Sequence, residues 1–349
     1  MSSSKSPANS LRLRPRGLSP RYRAKRISSG EALEAALQTD IECLRKIASD
    51  TGPYHKLHSR EGKPDGTVRE IFSLKQPLKP ILQRVNSHIL RNCYYPPYLT
   101  GSLSKSREGT PESELRSAEA NYLINARRHS GQGTVIRIDA TNFFPSIREE
   151  LVYAVWRDLF LFSEDVSDVL TKLTTYQGGL VQGSPTSSFL ANLALWRVEP
   201  VIVQQLEKDG IRYSRYVDDI VVSTTCRLSS AQKNKIVRAS QKVFLANGLK
   251  IKTRKTEVMD RNRQQRVHNV IVNSGRPTAG KERKHLLRSM LHHLRNDLHD
   301  PSQTRESIEK RIRSLEGKIR EFKKLNRTAG TKYLQELDHI RREGQDPNL

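Results

Sequence analysis

Arg212-Tyr-Ser-Arg-Tyr216-Val217-Asp218-Asp219-Ile220-Val221-Val222-Ser223 sets a β-rich run on each side of two adjacent carboxylates. The pattern predicts two short strands meeting at a tight turn around Val217–Asp218. Carboxylates beside such apolar residues are costly to desolvate without a cation, so the stretch points to a metal site. Neighbouring residues on a strand point to opposite faces. One of the pair is therefore expected to ligate directly, and Asp218 is assigned that place.

Upstream, Thr134-Val-Ile-Arg-Ile-Asp139 is a second β-rich run ending in a carboxylate, and Ala140-Thr-Asn-Phe143-Phe144-Pro145-Ser146-Ile147 then reads as a turn into a helix. An Asp at a strand end is, taken alone, as good a helix cap as a catalytic group. Between the two runs lies Gly178-Gly-Leu-Val-Gln182-Gly183-Ser184-Pro185. Gly183 permits close backbone approach, Ser184 can cap, and Pro185 suits a first helical turn, with Leu190, Leu193 and Ala194 giving the helix a buried side. Downstream, Asn247-Gly248-Leu249-Lys250-Ile251-Lys252-Thr253-Arg254-Lys255-Thr256 reads as a turn into a basic strand. Asp139, Asp218 and Asp219, from two separate strands, can hold two divalent ions. Ions ~3.5–4 Å apart serve phosphoryl transfer by activating the attacking hydroxyl and stabilising the leaving oxygen. Hard ions with oxygen ligands mean Mg²⁺ in the cell.

The 349 residues carry 61 Lys+Arg against 37 Asp+Glu, a formal charge of +24, so polyanionic partners come first. Residues 1–30 hold eight basic side chains and no acid, and residues 261–349 a further net +10. The first segment, rich in Ser, Arg and Pro, is expected to be a mobile basic arm or a solvated tail. Pro15 and Pro20 interrupt the amphipathic helix that an organelle transit peptide needs. In the last segment Leu286, Leu287, Met290, Leu291 and Leu294, and then Ile308, Ile312, Leu315, Ile319 and Phe322, recur at helical spacing with basic faces between them. That is either a soluble helical surface or a nucleic-acid clamp. No apolar run approaches the ~20 residues of a membrane span. Cys43, Cys93 and Cys226 are odd in number and lack metal-ligand spacing, which fits a reducing cytoplasm.

In this order and spacing, Asp139 with Phe143-Phe144, Gln182-Gly-Ser-Pro185, Tyr216-Val-Asp-Asp219 and Lys255-Thr256 resemble the palm of a reverse transcriptase. Gly62-Lys63-Pro-Asp-Gly66-Thr-Val-Arg69 and Pro77-Leu-Lys79-Pro-Ile81-Leu-Gln83 resemble the fingers of the bacterial enzymes. The resemblance implies an α+β right-hand polymerase with an antiparallel palm sheet and a helical thumb. It implies a basic arm over 1–30, N-terminal helices and fingers over 31–132, a palm over 133–262 with a helical insertion at 150–180, and a thumb over 263–349. It further implies that Asp139 and Asp218 bind the metals with Asp219 in support, that Lys63 and Arg69 meet the triphosphate of a dNTP, and that Gln182 and Gly183 help to place template and nucleotide. Lys255 becomes a proton donor to pyrophosphate. Phe144 becomes the ring under the deoxyribose that leaves no room for a 2′-OH, with Phe143 in the core. Independently of the resemblance, the basic faces of the C-terminal helical segment make Arg311, Lys318 and Lys324 expected RNA contacts.

Asn125-Ala-Arg-Arg-His129 is similar to the Asn-Ala-x-x-His signature of retron enzymes, which makes Asn125 and His129 expected RNA contacts. A lone His in an Arg-rich stretch is otherwise usually structural. The retron resemblance implies a cognate structured noncoding RNA as template and primer, an RNA–DNA hybrid and branched product (msDNA), and an antiphage role with an accessory effector. The chain departs from the pattern at Val267-His268-Asn269, where retron enzymes typically read Val-Thr-Gly. The alternatives are another bacterial defence-associated or group II intron-like reverse transcriptase with different priming, or a non-enzymatic RNA-binding scaffold.

Overall fold

A computed structural model describes residues 17–62, 66, 68–101, 103, 121–252, 256–298, 300 and 302–343. The chain forms two compact units, one of residues up to His129 plus Gly133–Asp260, the other of Ser130–Gln132 plus Arg261 onward.

The first unit is built on a four-stranded antiparallel sheet. Its strands are β5 (Thr134–Asp139), β6 (Arg212–Tyr216), β7 (Asp219–Thr224) and β8 (Glu257–Asp260), in the order β6-β7-β5-β8. β7 is buried along its whole length, as its uninterrupted Ile220-Val-Val predicts for a strand covered on both faces. Helix α10 (Ser230–Leu245) packs on β5, and α4 (Tyr122–Arg128) and α9 (Glu199–Lys208) pack on β6. α10 starts with a capping box in which Ser229 and Gln232 satisfy each other's backbone N–H.

Helices α1 (Gly30–Leu37), α2 (Ile41–Ser49), α3 (Leu78–Arg84) and α7 (Glu164–Thr174) share that core. In α7, Val166, Val169, Leu170 and Leu173 fall on one face and are all buried, while the Ser163 side chain caps the first turn. The hairpin of β2 (His55–Gly62) and β3 (Val68–Leu74) is mostly exposed. His55 at its base stacks on Tyr176, with ring centroids 4.2 Å apart.

Two local expectations shift. The second half of the basic arm is docked. Arg21–Tyr22 (β1) pairs with Cys93–Tyr94 (β4), Tyr22 stacks on Phe160 at 4.5 Å, and Ile27 is buried. Arg21 and Arg23 are exposed, and each guanidinium lies over the ring of Tyr94. Of the arm expected over 1–30, the first 16 residues lie outside the described ones. The helix after Gly183 begins at Ser187, not at Ser184-Pro185 (α8, Ser187–Leu193). Thr186 is its N-cap without a side-chain bond, and the Ser184 hydroxyl sits 3.0 Å from that of Thr186 instead of capping.

Among the described residues, the second unit carries a short hairpin and three helices. The hairpin joins β9 (Arg266–Val267) to β10 (Val270–Ile271) through His268 and Asn269, whose φ angles are 50° and 62°. A two-residue turn with both φ positive is the form that matches strand twist, and Asn tolerates it well. The departure from Val-Thr-Gly thus keeps a tight turn. Helices α11 (Lys281–Asp297), α12 (Arg305–Lys323) and α13 (Arg327–Glu343) pack around Leu287, Leu291, Leu294, Leu315, Phe322 and Leu337. Leu286, expected on the buried stripe, is 59% exposed because it points one residue off that face.

Candidate active site

Asp139 ends β5 and Asp219 begins β7, and the two are direct cross-strand partners. Such partners project to the same face of a sheet. Asp218 occupies the two-residue turn with Val217, between the ends of β6 and β7. The opposite-face argument therefore does not apply to it, since it is not on a strand. Backbone bonds hold the acids in register: Ala140 N donates to Asp218 O at 3.2 Å, and Lys252 N to Asp139 O at 3.0 Å.

Arg137, two residues before Asp139, lies on the same face and donates to Asp219 Oδ2 at 2.9 Å. It also reaches Glu257 at 3.4 Å. Burial pushes the Asp219 carboxyl up to about 6, with Asp218 and Asp139 adding to the rise and Arg137 opposing it. Burial works against the Arg137 charge too, but Asp219 and then Glu257 hold its guanidinium above the ordinary value. Hard carboxylate oxygens suit a divalent cation. Asp218 and Asp139 act on Asp219 through their charge, while Arg137 holds its Oδ2. Among the described residues, no three His, Cys, Asp or Glu side chains stand together as a ligand set.

Phe143 is buried in the main core and Phe144 is half-buried, edge-on to it at 5.9 Å. Both belong to the single-turn helix α5 (Phe143–Ser146), which follows Asp139 after Asn142, a residue at φ 44°. The loop at Gln182 is held by the exposed hairpin: Phe72 N donates to Gln182 O at 2.8 Å. A Cβ on Gly183, at φ 101°, would lie 2.0 Å from Phe72 O. The close approach foreseen at this glycine is thus to β3. Arg69 lies on the same hairpin opposite Glu61, 3.9 Å away. Lys63 and Lys255 lie outside the described residues.

Asn125 and His129, expected to touch RNA, are fully buried. Ser214 Oγ donates to Asn125 Oδ1, and the His129 ring nitrogens lie 2.7 Å from Ser214 Oγ and 2.8 Å from Ser223 Oγ. The Ser214 proton being used, its oxygen must accept from His129 Nε2–H, and a neutral ring then accepts from Ser223 at Nδ1. The Asn-x-x-x-His spacing pins α4 to β6 and β7 instead of presenting a surface. In the second unit Arg311 pairs with Asp297, and Lys324 with Glu321 at 2.8 Å, while Lys318 is exposed.

Residues 62–334 match the family model described as "Reverse transcriptase (RNA-dependent DNA polymerase)". Among curated proteins, the chain is 31% identical over 276 residues to the retron Se72 reverse transcriptase of Salmonella heidelberg, covering 78% of this chain and 69% of that one. This chain belongs to the retron-type reverse transcriptases. The retron Ec48 and Ec86 reverse transcriptases of Escherichia coli are each 27% identical to the enzyme, over 88% and 75% of its length and 74% and 77% of theirs. A solved telomerase from Candida albicans, in complex with a fragment of telomeric RNA, is 15% identical at a TM-score of 0.35. It covers 58% of the enzyme, which spans 40% of that chain.

The family makes the enzyme an RNA-directed DNA polymerase with a right-hand α+β fold. No helix among the described residues is long and apolar enough to cross a membrane. Sequence reasoning missed Arg137, although its i, i+2 spacing from Asp139 was the available signal. It also assigned nothing to Arg215, one residue before the Tyr-Val-Asp-Asp run.

Proposed function

We propose that the enzyme synthesises msDNA on a cognate noncoding RNA that serves as both template and primer, and that it works in antiphage defence beside an accessory effector. The observation that carries the active-site reading is the cross-strand pairing of Asp139 with Asp219, with Asp218 in the adjoining turn. Asp139 and Asp218 would hold two Mg²⁺ ions, with Asp219 in support once its carboxylate leaves Arg137. When bound, such ions lower the charge on the reacting phosphate and favour ionisation of the attacking hydroxyl.

The chain's own groups supply placement. Phe144 stands under the sugar of the incoming dNTP, and Gln182 and Gly183, backed by the hairpin, place the template–nucleotide pair. Arg69 and Lys63 flank the triphosphate, and Lys255 gives its proton to the departing pyrophosphate. Lys318, with Arg311 and Lys324, lies against the RNA–DNA hybrid. Retron priming is supported by the retron identity of the curated relatives.

Purified from cells expressing its whole locus, the enzyme should carry DNA joined to RNA by a bond that a debranching enzyme cuts and proteinase does not. DNA linked to a protein side chain, or made only with an added oligonucleotide, would reject this priming and favour the defence-associated alternative. Asp218→Asn should lower Mg²⁺-dependent extension on the order of a thousandfold, equivalent to ~4 kcal/mol, while RNA affinity is kept. Near-normal extension would remove Asp218 from the ligand set.

A further inference from the structure

Behind the acidic turn, at 0% and 1% side-chain exposure, Arg215 and Glu199 form a buried ion pair. The guanidinium is bidentate on the carboxylate, Nε to Oε1 at 2.6 Å and Nη2 to Oε2 at 2.8 Å. Tyr213 adds its hydroxyl to Oε1 at 2.7 Å. The same guanidinium donates through Nη1 to the carbonyl of Val217 at 2.9 Å and through Nη2 to that of Asn192, in α8, at 3.0 Å. Val217 sits at φ 58°. For a β-branched residue this is an outlier that persists only where its surroundings impose it.

Those surroundings are specific. Gly101 lies so close that a Cβ there would be 2.8 Å from both Val217 N and Cγ2. Asn192 Nδ2 holds the Gly101 carbonyl at 2.9 Å. A buried ion pair is generally no more stabilising than well-packed apolar groups of its size. Stability alone therefore gives little reason for it, whereas no apolar side chain could hold the two carbonyls.

We propose that Arg215, oriented by Glu199, is a positioning residue that clamps the strained Val217 carbonyl and so fixes the direction in which Asp218 presents its carboxylate. The clamp touches neither substrate nor ion. It ties the acidic turn to α8 and to Gly101, so that the Gln-Gly loop and the acids share one frame. The inference rests on reading Asp218 as an ion ligand.

Arg215→Lys keeps the charge opposite Glu199, but a single ammonium cannot serve the carboxylate and both carbonyls. The half-saturating Mg²⁺ of primer extension should rise roughly tenfold or more, with high Mg²⁺ restoring much of the rate and RNA affinity unchanged. Mn²⁺ binding to the full-length protein, titrated by electron paramagnetic resonance, should weaken by a similar factor. Leu173→Ala, in the same core but off this network, should lower the melting temperature and leave both readouts in place.

Gly101→Ala pushes on Val217 without altering a buried charge and should reproduce the metal phenotype. It decides the matter alone if Arg215→Lys does not fold. Unaltered Mg²⁺ dependence and Mn²⁺ affinity in the folded variants would overturn the clamp. A wild-type enzyme that neither bound Mn²⁺ nor needed a divalent ion would overturn the ligand reading, and the clamp with it.

Discussion

His129→Ala separates a packing role from an RNA-binding one. The imidazole is completely buried and bridges Ser214 and Ser223 across β6 and β7. Removing it loses two hydrogen bonds at ~1 kcal/mol each and strands the Ser223 hydroxyl. The ring also leaves a void of roughly 60 Å³, which at ~24 cal/mol per Å³ adds ~1.5 kcal/mol. The expected destabilisation is thus ~3–4 kcal/mol, a large part of the ~5–15 kcal/mol that holds most domains folded. For a unit of this size the apparent Tm should fall by about 7 °C, at ~2 °C per kcal/mol.

Thermal unfolding and RNA binding, the latter measured well below the lowered Tm, read the two roles apart. The expected result is a lower Tm with RNA affinity changed by less than about twofold, since 1.4 kcal/mol would be needed for tenfold. Ser223→Ala should cost less in His129→Ala than in the wild type, because its partner is already gone. A tenfold loss of RNA affinity at an unaltered Tm would refute the buried bridge and return His129 to the RNA surface.

Phe144→Ala should raise ribonucleotide incorporation relative to deoxyribonucleotide incorporation in competition assays. An unchanged ratio in a folded variant would assign the ring to its packing against Phe143. Reversing Arg311, Lys318 and Lys324 should weaken RNA binding and flatten its salt dependence. Each lost phosphate contact is worth a slope of roughly 0.7–0.9 in log K against log salt. Arg311 and Lys324 already neutralise Asp297 and Glu321, so Lys318→Glu alone should account for a disproportionate share, while single-nucleotide addition at saturating RNA survives. Gly183→Ala should raise the KM for dNTP, since its Cβ cannot coexist with Phe72 O and must drive the hairpin off the Gln182 loop. An unmoved KM would show that the hairpin's seat does not matter to nucleotide placement.

The acidic turn shows what can be read without coordinates. The two apolar runs around Val217–Asp218 carry period and turn chemistry in adjacent residues, so strand, turn and strand follow from local physics. The strand ending at Asp139 and the terminal helical stripes follow on the same ground, while the order of Asp139, Gln182-Gly-Ser-Pro185, Tyr216-Val-Asp-Asp219 and Lys255-Thr256 carries the resemblance to the polymerase family. Three matters depended on partners distant in sequence. Asn125 and His129 look like polar surface groups until Ser214 and Ser223 arrive from strands some 90 residues away to satisfy them. Gly183 leaves open what approaches its backbone until β3 takes the space. Nothing local to Asp219 shows that the alternation of β5 brings Arg137 to it. By itself the sequence determined the local strands, turns and helical stripes, because period and turn chemistry set those, and the order of its motifs carried the resemblance to a polymerase. Only the tertiary structure decided which polar groups are consumed inside, because a buried hydrogen bond needs a partner that folding alone delivers.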